Sequence, residues 1–205
     1  MTQVHKAGLK LGITGGIGSG KTSVCRVFSV LGIPVFSADL EAKKIMDNND
    51  EIVHSINAIA GKDLYSTGSL DREVLANLIF NNQDMLNKVN ALVHPLIFKN
   101  FLLWVGKQVA PYVIMEAAIL FESGGAKFVD RIATVVAPVE ERIKRLIGGN
   151  KLTREQVLAR IRNQMDDNLK SEQSDYIIHN SENDLIIPVI LHIHEEMIKL
   201  SSSMK

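Results

Sequence analysis

The chain has 205 residues, 46% hydrophobic and 22% charged, a composition that suits one globular α/β core with room for a small inserted subdomain. Its 23 basic residues equal its 23 acidic ones, so it lacks the basic excess of a dedicated nucleic-acid binder. The single cysteine, Cys25, excludes an internal disulfide framework. The polar first eight residues do not read as a signal peptide, and no apolar run approaches the roughly 20 residues that cross a bilayer. The expected address is cytoplasmic, with no membrane and no nucleic-acid partner.

Leu9 to Ile13 reads as a first strand entering a glycine-rich loop. Beyond the loop, Val24, Val27, Phe28 and Leu31 recur at i, i+3, i+4 and i+7, one apolar helix face, and Gly32 ends that helix. Ile33-Pro34-Val35-Phe36 is a second strand, with Pro34 near its start, where a missing N–H is tolerated. Residues 37–111 are mostly helical, with turns at Gly61 and Thr67-Gly68. A break between two helices is expected at His94-Pro95, because proline disfavours helix in the residue before it. A stretch of about 75 residues far exceeds an ordinary connection, and binding a second substrate is its natural work.

Tyr112-Val113-Ile114-Met115-Glu116 is a buried strand ending in an acid, and Ile132 to Ala137 is another. Residues 139–147 form a helix stopped by Gly148-Gly149. Thr153-Arg154-Glu155-Gln156 fits a capping box, with Thr153 as N-cap and Gln156 reaching back. The helix it opens carries Leu158, Ile161 and Met165 on one side. Tyr176-Ile177-Ile178 is a last strand, Ile186 to Leu200 a closing amphipathic helix, and Ser201 to Lys205 a frayed tail. Strands alternating with helices predict a mostly parallel sheet covered on both faces.

The loop Gly15-Gly16-Ile17-Gly18-Ser19-Gly20-Lys21-Thr22 meets G-x-x-x-x-G-K-[ST] in full and stands between a strand and an amphipathic helix, as that motif requires. Its glycines let backbone N–H groups approach an anion closely, and the helix behind it, with Ser23 in its first turn, adds a positive end. Lys21 places a cation against the outer phosphates of ATP, and Thr22 supplies a hydroxyl for Mg²⁺.

Two classes of P-loop protein compete. A GTP-dependent switch carries Asn-Lys-x-Asp, whereas Asn87-Lys88-Val89-Asn90 and Asn150-Lys151-Leu152-Thr153 both lack the final Asp. A small-molecule kinase needs an acid at the acceptor hydroxyl, cations over the transferring phosphoryl and a cover that excludes water. Asp39 follows the second strand at the carboxyl end of the sheet, where parallel sheets place their sites; it is a candidate base and also a candidate N-cap. Glu116 ends the third strand, placed to hold Mg²⁺ through water or to orient Thr22 or Lys21. Arg142 and Arg145 are i, i+3 on one helix. With Lys144, Lys151, Arg154, Arg160 and Arg162 they form the only dense basic region, suited to a lid over triphosphate or to a solvated face. His94 is a candidate phosphate contact or a packing residue, and Cys25 a buried inert thiol.

These residues resemble the dephospho-coenzyme A kinase family over nearly the whole chain. The resemblance is carried by Leu11 to Thr22, Ser37-Ala38-Asp39, Val93-His94-Pro95, Ile119-Leu120-Phe121-Glu122, Arg142 to Leu146, Ala159-Arg160-Ile161-Arg162-Asn163-Gln164 and Ser174 to Asn180. It implies ATP- and Mg²⁺-dependent phosphorylation of the ribose 3′-hydroxyl of dephospho-CoA, the last step of coenzyme A synthesis. A nucleoside monophosphate kinase is the alternative enzyme. The implied fold is one three-layer α/β/α P-loop kinase domain with a five-stranded parallel sheet. Its core spans about 8–36, 112–138 and 174–200, its substrate-binding insertion 37–111 and its lid 139–173. The implied catalytic residues are Asp39, Lys21 and Arg145. Gly16 to Ser23, Arg142, Pro138 and Asn180 fall at ATP, with Ala137 beside its adenine. Asp39, His94, Leu120, Phe121, Glu122 and Arg160 fall at the acceptor, and Thr22 and Glu116 at the metal. A monomer or weak homo-oligomer is expected. The chain departs from the family at Ser37 (for Asp), at Glu116 and Ala118 (for Asp and Pro) and at Gly149-Asn150 (for Arg-Asp). With the last, either Arg145, Arg142 or Lys151 supplies the missing lid charge or the lid closes with less charge.

Overall fold

A computed structural model describes residues 8–80, 82–149 and 153–203. The chain divides into two compact units, one made of the residues up to Ser37 and from Leu103 onward, the other of Ala38–Leu102.

The first unit holds a sheet with, among the described residues, five strands: β1 (Leu9–Thr14), β2 (Val35–Ser37), β3 (Tyr112–Glu116), β4 (Arg131–Val136) and β5 (Tyr176–His179). They lie in the order β2-β3-β1-β4-β5 and every neighbouring pair is parallel. The chain turns outward in both directions from β1, so the loop after β1 opens at the point where the strand order reverses, the usual place for a ligand. Register aligns the ends of three strands there, with Ile13 and Ser37 both level with Glu116.

Period-2 alternation sends Leu9, Leu11 and Ile13 of β1 to one face. There they pack with Val24, Cys25 and Phe28 of α1 (Lys21–Val30) and with Ile190, Ile193 and Met197 of α9 (Ile186–Ser203). Leu11, Ile13 and Phe28 are fully buried, each worth about 1.5–3 kcal/mol of transfer free energy. Phe28 meets Tyr112 edge-on at 6.5 Å between ring centroids, and the Tyr112 hydroxyl is 2.8 Å from His194 Nδ1. On the opposite face Gly12 admits Leu120 and Val129, whose side chains a Cβ would meet at 2.7 and 3.1 Å.

Around the carboxyl end of the sheet stand α6 (Val139–Gly149), α7 (Arg154–Arg162) and α8 (Asp167–Glu172). The capping box at Thr153 forms as expected: Thr153 Oγ1 accepts from Gln156 N–H at 3.3 Å, and Gln156 Oε1 accepts from Thr153 N–H at 3.0 Å. The helix α6 takes in Gly148 and its described extent ends at Gly149, within the glycine pair expected to stop it. Ser201 does not fray; α9 reaches Ser203, and the Ser201 hydroxyl is anchored on the Pro111 carbonyl. The six-residue α8 was not expected, since so short an apolar pattern has no readable period.

The second unit is helical: α2 (Ala38–Asn48), α3 (Asp50–Ala60), α4 (Arg72–Phe80) and α5 (Gln83–Val105), the last ending in the first unit. Asn49 caps α3 by accepting from Ile52 N–H at 3.1 Å, and Gly61 ends it at φ 67°. The helix break expected at His94-Pro95 is absent, because α5 continues through Pro95. Proline removes one bond on the exposed side, while Val89, Val93, Ile97 and Phe101 form a buried ladder on the other. Continuous packing of that face outweighs the local preference. Asp39 is the second residue of α2, inside its first turn, and not its N-cap.

Candidate active site

The loop after β1 is built from tight approaches. A side chain at Gly16 would meet Arg142 Nη2 at 2.1 Å. At Gly20, where φ is 98°, it would meet Asn180 Nδ2 at 2.0 Å. Both positions therefore need glycine, one for space and one for space and dihedral. Gly20 also stands at the N-terminus of α1 with no side-chain cap, so no side chain covers the positive end of that helix, a favourable place for an anion. Ser23 lies in this first turn, its N–H on the Gly20 carbonyl at 3.0 Å.

Lys21 is 8% exposed, and its Nζ donates to the Gly15 and Gly16 carbonyls at 2.9 and 3.3 Å. The ammonium is thus folded back over the arch of the loop. Ser19 and Thr14 are fully buried, and their hydroxyls have no hydrogen-bond partner among the described residues. The Thr22 hydroxyl donates to Glu116 Oε1 at 2.9 Å. Among the described residues no three His, Cys, Asp or Glu side chains cluster as a protein cage for a metal. A hydroxyl beside a single carboxylate suits Mg²⁺, which keeps several waters and takes phosphate oxygens as ligands.

Three side chains brace the loop from outside. Asn180 Nδ2 donates to the Ser19 carbonyl at 2.7 Å. Arg145 donates to the carbonyls of Asn180 at 2.8 Å and Gly18 at 3.5 Å, and pairs with Glu141 at 3.0 Å. Arg142 is 2% exposed; it donates through Nε to the Ile17 carbonyl at 2.8 Å and pairs with Asp167. A fourth contact comes from Gln164, whose Oε1 accepts from Ile17 N–H at 2.8 Å.

The rest of the basic region is spread out. Lys144 pairs with Glu182 and Arg154 with Glu140. Arg160 and Arg162 are exposed on α7, and Lys151 lies outside the described residues. Ala137 and Pro138 line a cleft of about 550 Å³ with Val136, Ile177, His179 and Ser181, the last two being the chain neighbours of Asn180.

In the segment after β3, Leu120 is fully buried and Phe121 half-buried. Glu122 is already engaged. Its Oε1 accepts from Met165 N–H at 2.8 Å and from Lys170 Nζ at 3.0 Å, and Lys170, fully buried, also donates to the Ala118 carbonyl at 3.1 Å. Sequence reasoning passed over Gln164, Asp167 and Lys170. Gln164 stood in a quoted motif, whereas a buried lysine has no signature apart from its partner 48 positions away.

Asp39 and His94 belong to the helical unit. Asp39 is exposed. His94 is half-buried, its ring 6.3 Å from that of Phe98, and burial holds its pKa below the ordinary value of 6.5. Cys25 is buried on α1, and burial, reinforced by the Glu116 charge, pushes its thiol well above the usual range. It is therefore inert at neutral pH.

The sequence profile of the dephospho-CoA kinase family matches residues 9–185. A dephospho-CoA kinase of Bacteroides fragilis is 37% identical over 186 residues, 90% of this chain and 91% of that one. A crystal structure from Thermus thermophilus superposes with a TM-score of 0.80 at 30% identity, covering 95% of this chain and 98% of that one. A dephospho-CoA kinase from Campylobacter jejuni superposes with a TM-score of 0.65 at 26% identity, covering 93% and 97%. With a family match over most of its length and a nucleotide loop of the required geometry, the chain belongs to the dephospho-CoA kinase family.

Proposed function

We propose that this chain transfers the γ-phosphoryl group of ATP to the ribose 3′-hydroxyl of dephospho-CoA, giving coenzyme A and ADP. Membership of the family makes it an ATP-dependent kinase acting on dephospho-CoA. The observation that carries the nucleotide half is the glycine arch with Lys21 Nζ folded across it.

In this reading the N–H groups at the start of α1 take the phosphates, and Lys21 leaves its two carbonyls to meet the outer ones. Thr22 and Glu116 would hold Mg²⁺, Glu116 by way of a water, and the ion would supply charge neutralisation at the transferring group. Asp39 accepts the proton of the attacking hydroxyl. Arg145, fixed at the loop rim by Glu141 and Asn180, faces the charge that spreads over the phosphoryl oxygens. The cleft beside Ala137, Pro138 and Asn180 takes the adenine. His94, Leu120, Phe121 and Arg160 serve the acceptor side. His94 does so as a neutral imidazole at pH 7, because its pKa is depressed. The core, insertion and lid divide the chain near 37, 111 and 139–173.

The test is ADP release in a coupled assay with dephospho-CoA beside nucleoside monophosphates. Turnover with dephospho-CoA alone is expected. Faster turnover with a nucleoside monophosphate would overturn the acceptor, and acceptor-independent behaviour with all of them would overturn the kinase reading.

A further inference from the structure

We infer that Gln164, together with Arg142, is a positioning residue for the nucleotide loop, which the pair shapes by gripping the two peptide groups on either side of the Ile17 Cα. Gln164 Oε1 takes the Ile17 N–H at 2.8 Å, and Arg142 Nε serves the Ile17 carbonyl at 2.8 Å. The two peptide planes of Ile17 are thereby held between Gly16 and Gly18, the residues with the freest backbones. The guanidinium also fills the space that a side chain at Gly16 would need. Arg142 thus acts on ATP through the loop beneath it.

The grip is itself anchored. The residue after Gln164 donates its N–H to Glu122, and Glu122 is tied to the buried Lys170, which also holds the Ala118 carbonyl. Arg142 is tied to Asp167. A continuous set of contacts therefore runs from residues 118–122 through residues 164–170 to the loop. Its charges are matched in pairs, so it constrains the loop without adding net charge near a triphosphate. A binding loop ordered in advance loses less entropy when its ligand arrives.

The inference rests on the reading of the loop as a nucleotide site, and not on the identity of the acceptor. Its test is Gln164→Leu, close in volume but without an acceptor. One hydrogen bond's worth of preorganisation corresponds to about a tenfold effect. Calorimetric titration of the variant with Mg²⁺–ATP should give about tenfold weaker binding, with KM for ATP raised to match and KM for dephospho-CoA within about twofold of wild type. In the nucleotide-free protein, Ile17 amide exchange followed by NMR should be about tenfold faster. Unchanged or tighter ATP binding overturns the inference, the latter because Gln164 would then compete with phosphate for the N–H. Equal weakening toward both substrates, or Ile17 exchange that matches wild type, overturns it as well. A wild-type protein that binds ATP but leaves dephospho-CoA untouched would remove the acceptor reading and leave this comparison intact.

Discussion

Thr22 and Glu116 meet at 2.9 Å, joining the last residue of the phosphate loop to the end of the neighbouring strand β3. The bond bridges the loop that follows β1 and the end of its neighbour β3, so it ties the phosphate loop to the sheet. Glu116→Gln keeps an acceptor and removes the charge. It should raise the Mg²⁺ concentration for half-maximal activity by about 10- to 100-fold. Mg²⁺ titration of initial rates measures this, and an unshifted midpoint would remove Glu116 from the metal's surroundings.

Lys21→Ala should reduce kcat by at least about 10² to 10³, the range seen when one preorganised electrostatic contact to a transition state is deleted. The buried ammonium lies on two carbonyls, so circular dichroism and a melting curve should accompany the assay. Native-like melting with near-normal turnover would contradict the role.

Asp39→Asn should lower kcat by about 10²-fold or more and leave ATP affinity unchanged. Asp39 is exposed in the first turn of α2, so its removal leaves no cavity. Single-turnover kinetics beside nucleotide titration separates the two effects.

Glu122→Ala strands the Lys170 ammonium, which is fully buried. Losing one partner of such a pair costs about 3 kcal/mol or more, whereas replacing the buried cation with an apolar group of similar size costs less. Lys170→Met combined with Glu122→Gln should therefore be more stable than Glu122→Ala alone. Urea denaturation of the variants checks the order.

Burial lowers the His94 pKa in the folded state. The unfolded chain then binds the proton more readily, so stability is full above the unfolded pKa near 6.5 and declines as pH falls through that value toward the folded pKa. His94→Gln should flatten this part of the profile between pH 7 and pH 5, measured as unfolding free energy against pH.

Strands and phosphate loop were legible because their signals are local. A short apolar run between turn residues marks a buried strand, and the eight-residue loop motif carries its own geometry. The capping box at Thr153 was readable for the same reason. What escaped is non-local. Pro95 looked like a boundary because the rule governing it concerns one neighbour, while the ladder Val89-Val93-Ile97-Phe101 that keeps α5 whole is a matter of packing. Arg142 reads in sequence as one of several cations on a basic stretch. Its burial depends on Asp167 and the Ile17 carbonyl, 25 and 125 positions away. Glu122 reads as a free acid until Lys170 folds onto it.

The edges of the sheet are its two shortest strands, β2 with three residues and β5 with four, and Pro34 immediately precedes β2. A short edge offers few unpaired N–H and C=O groups to a strand from another molecule, and a proline beside it withholds one more. The long apolar strands β1, β3 and β4 are flanked on both sides before either edge is reached. Parallel pairing of distant segments is slow to form, and a half-assembled sheet is when neighbouring copies are most able to join it. Short borders therefore act as a safeguard against aggregation during folding, built into strand length and the proline beside β2.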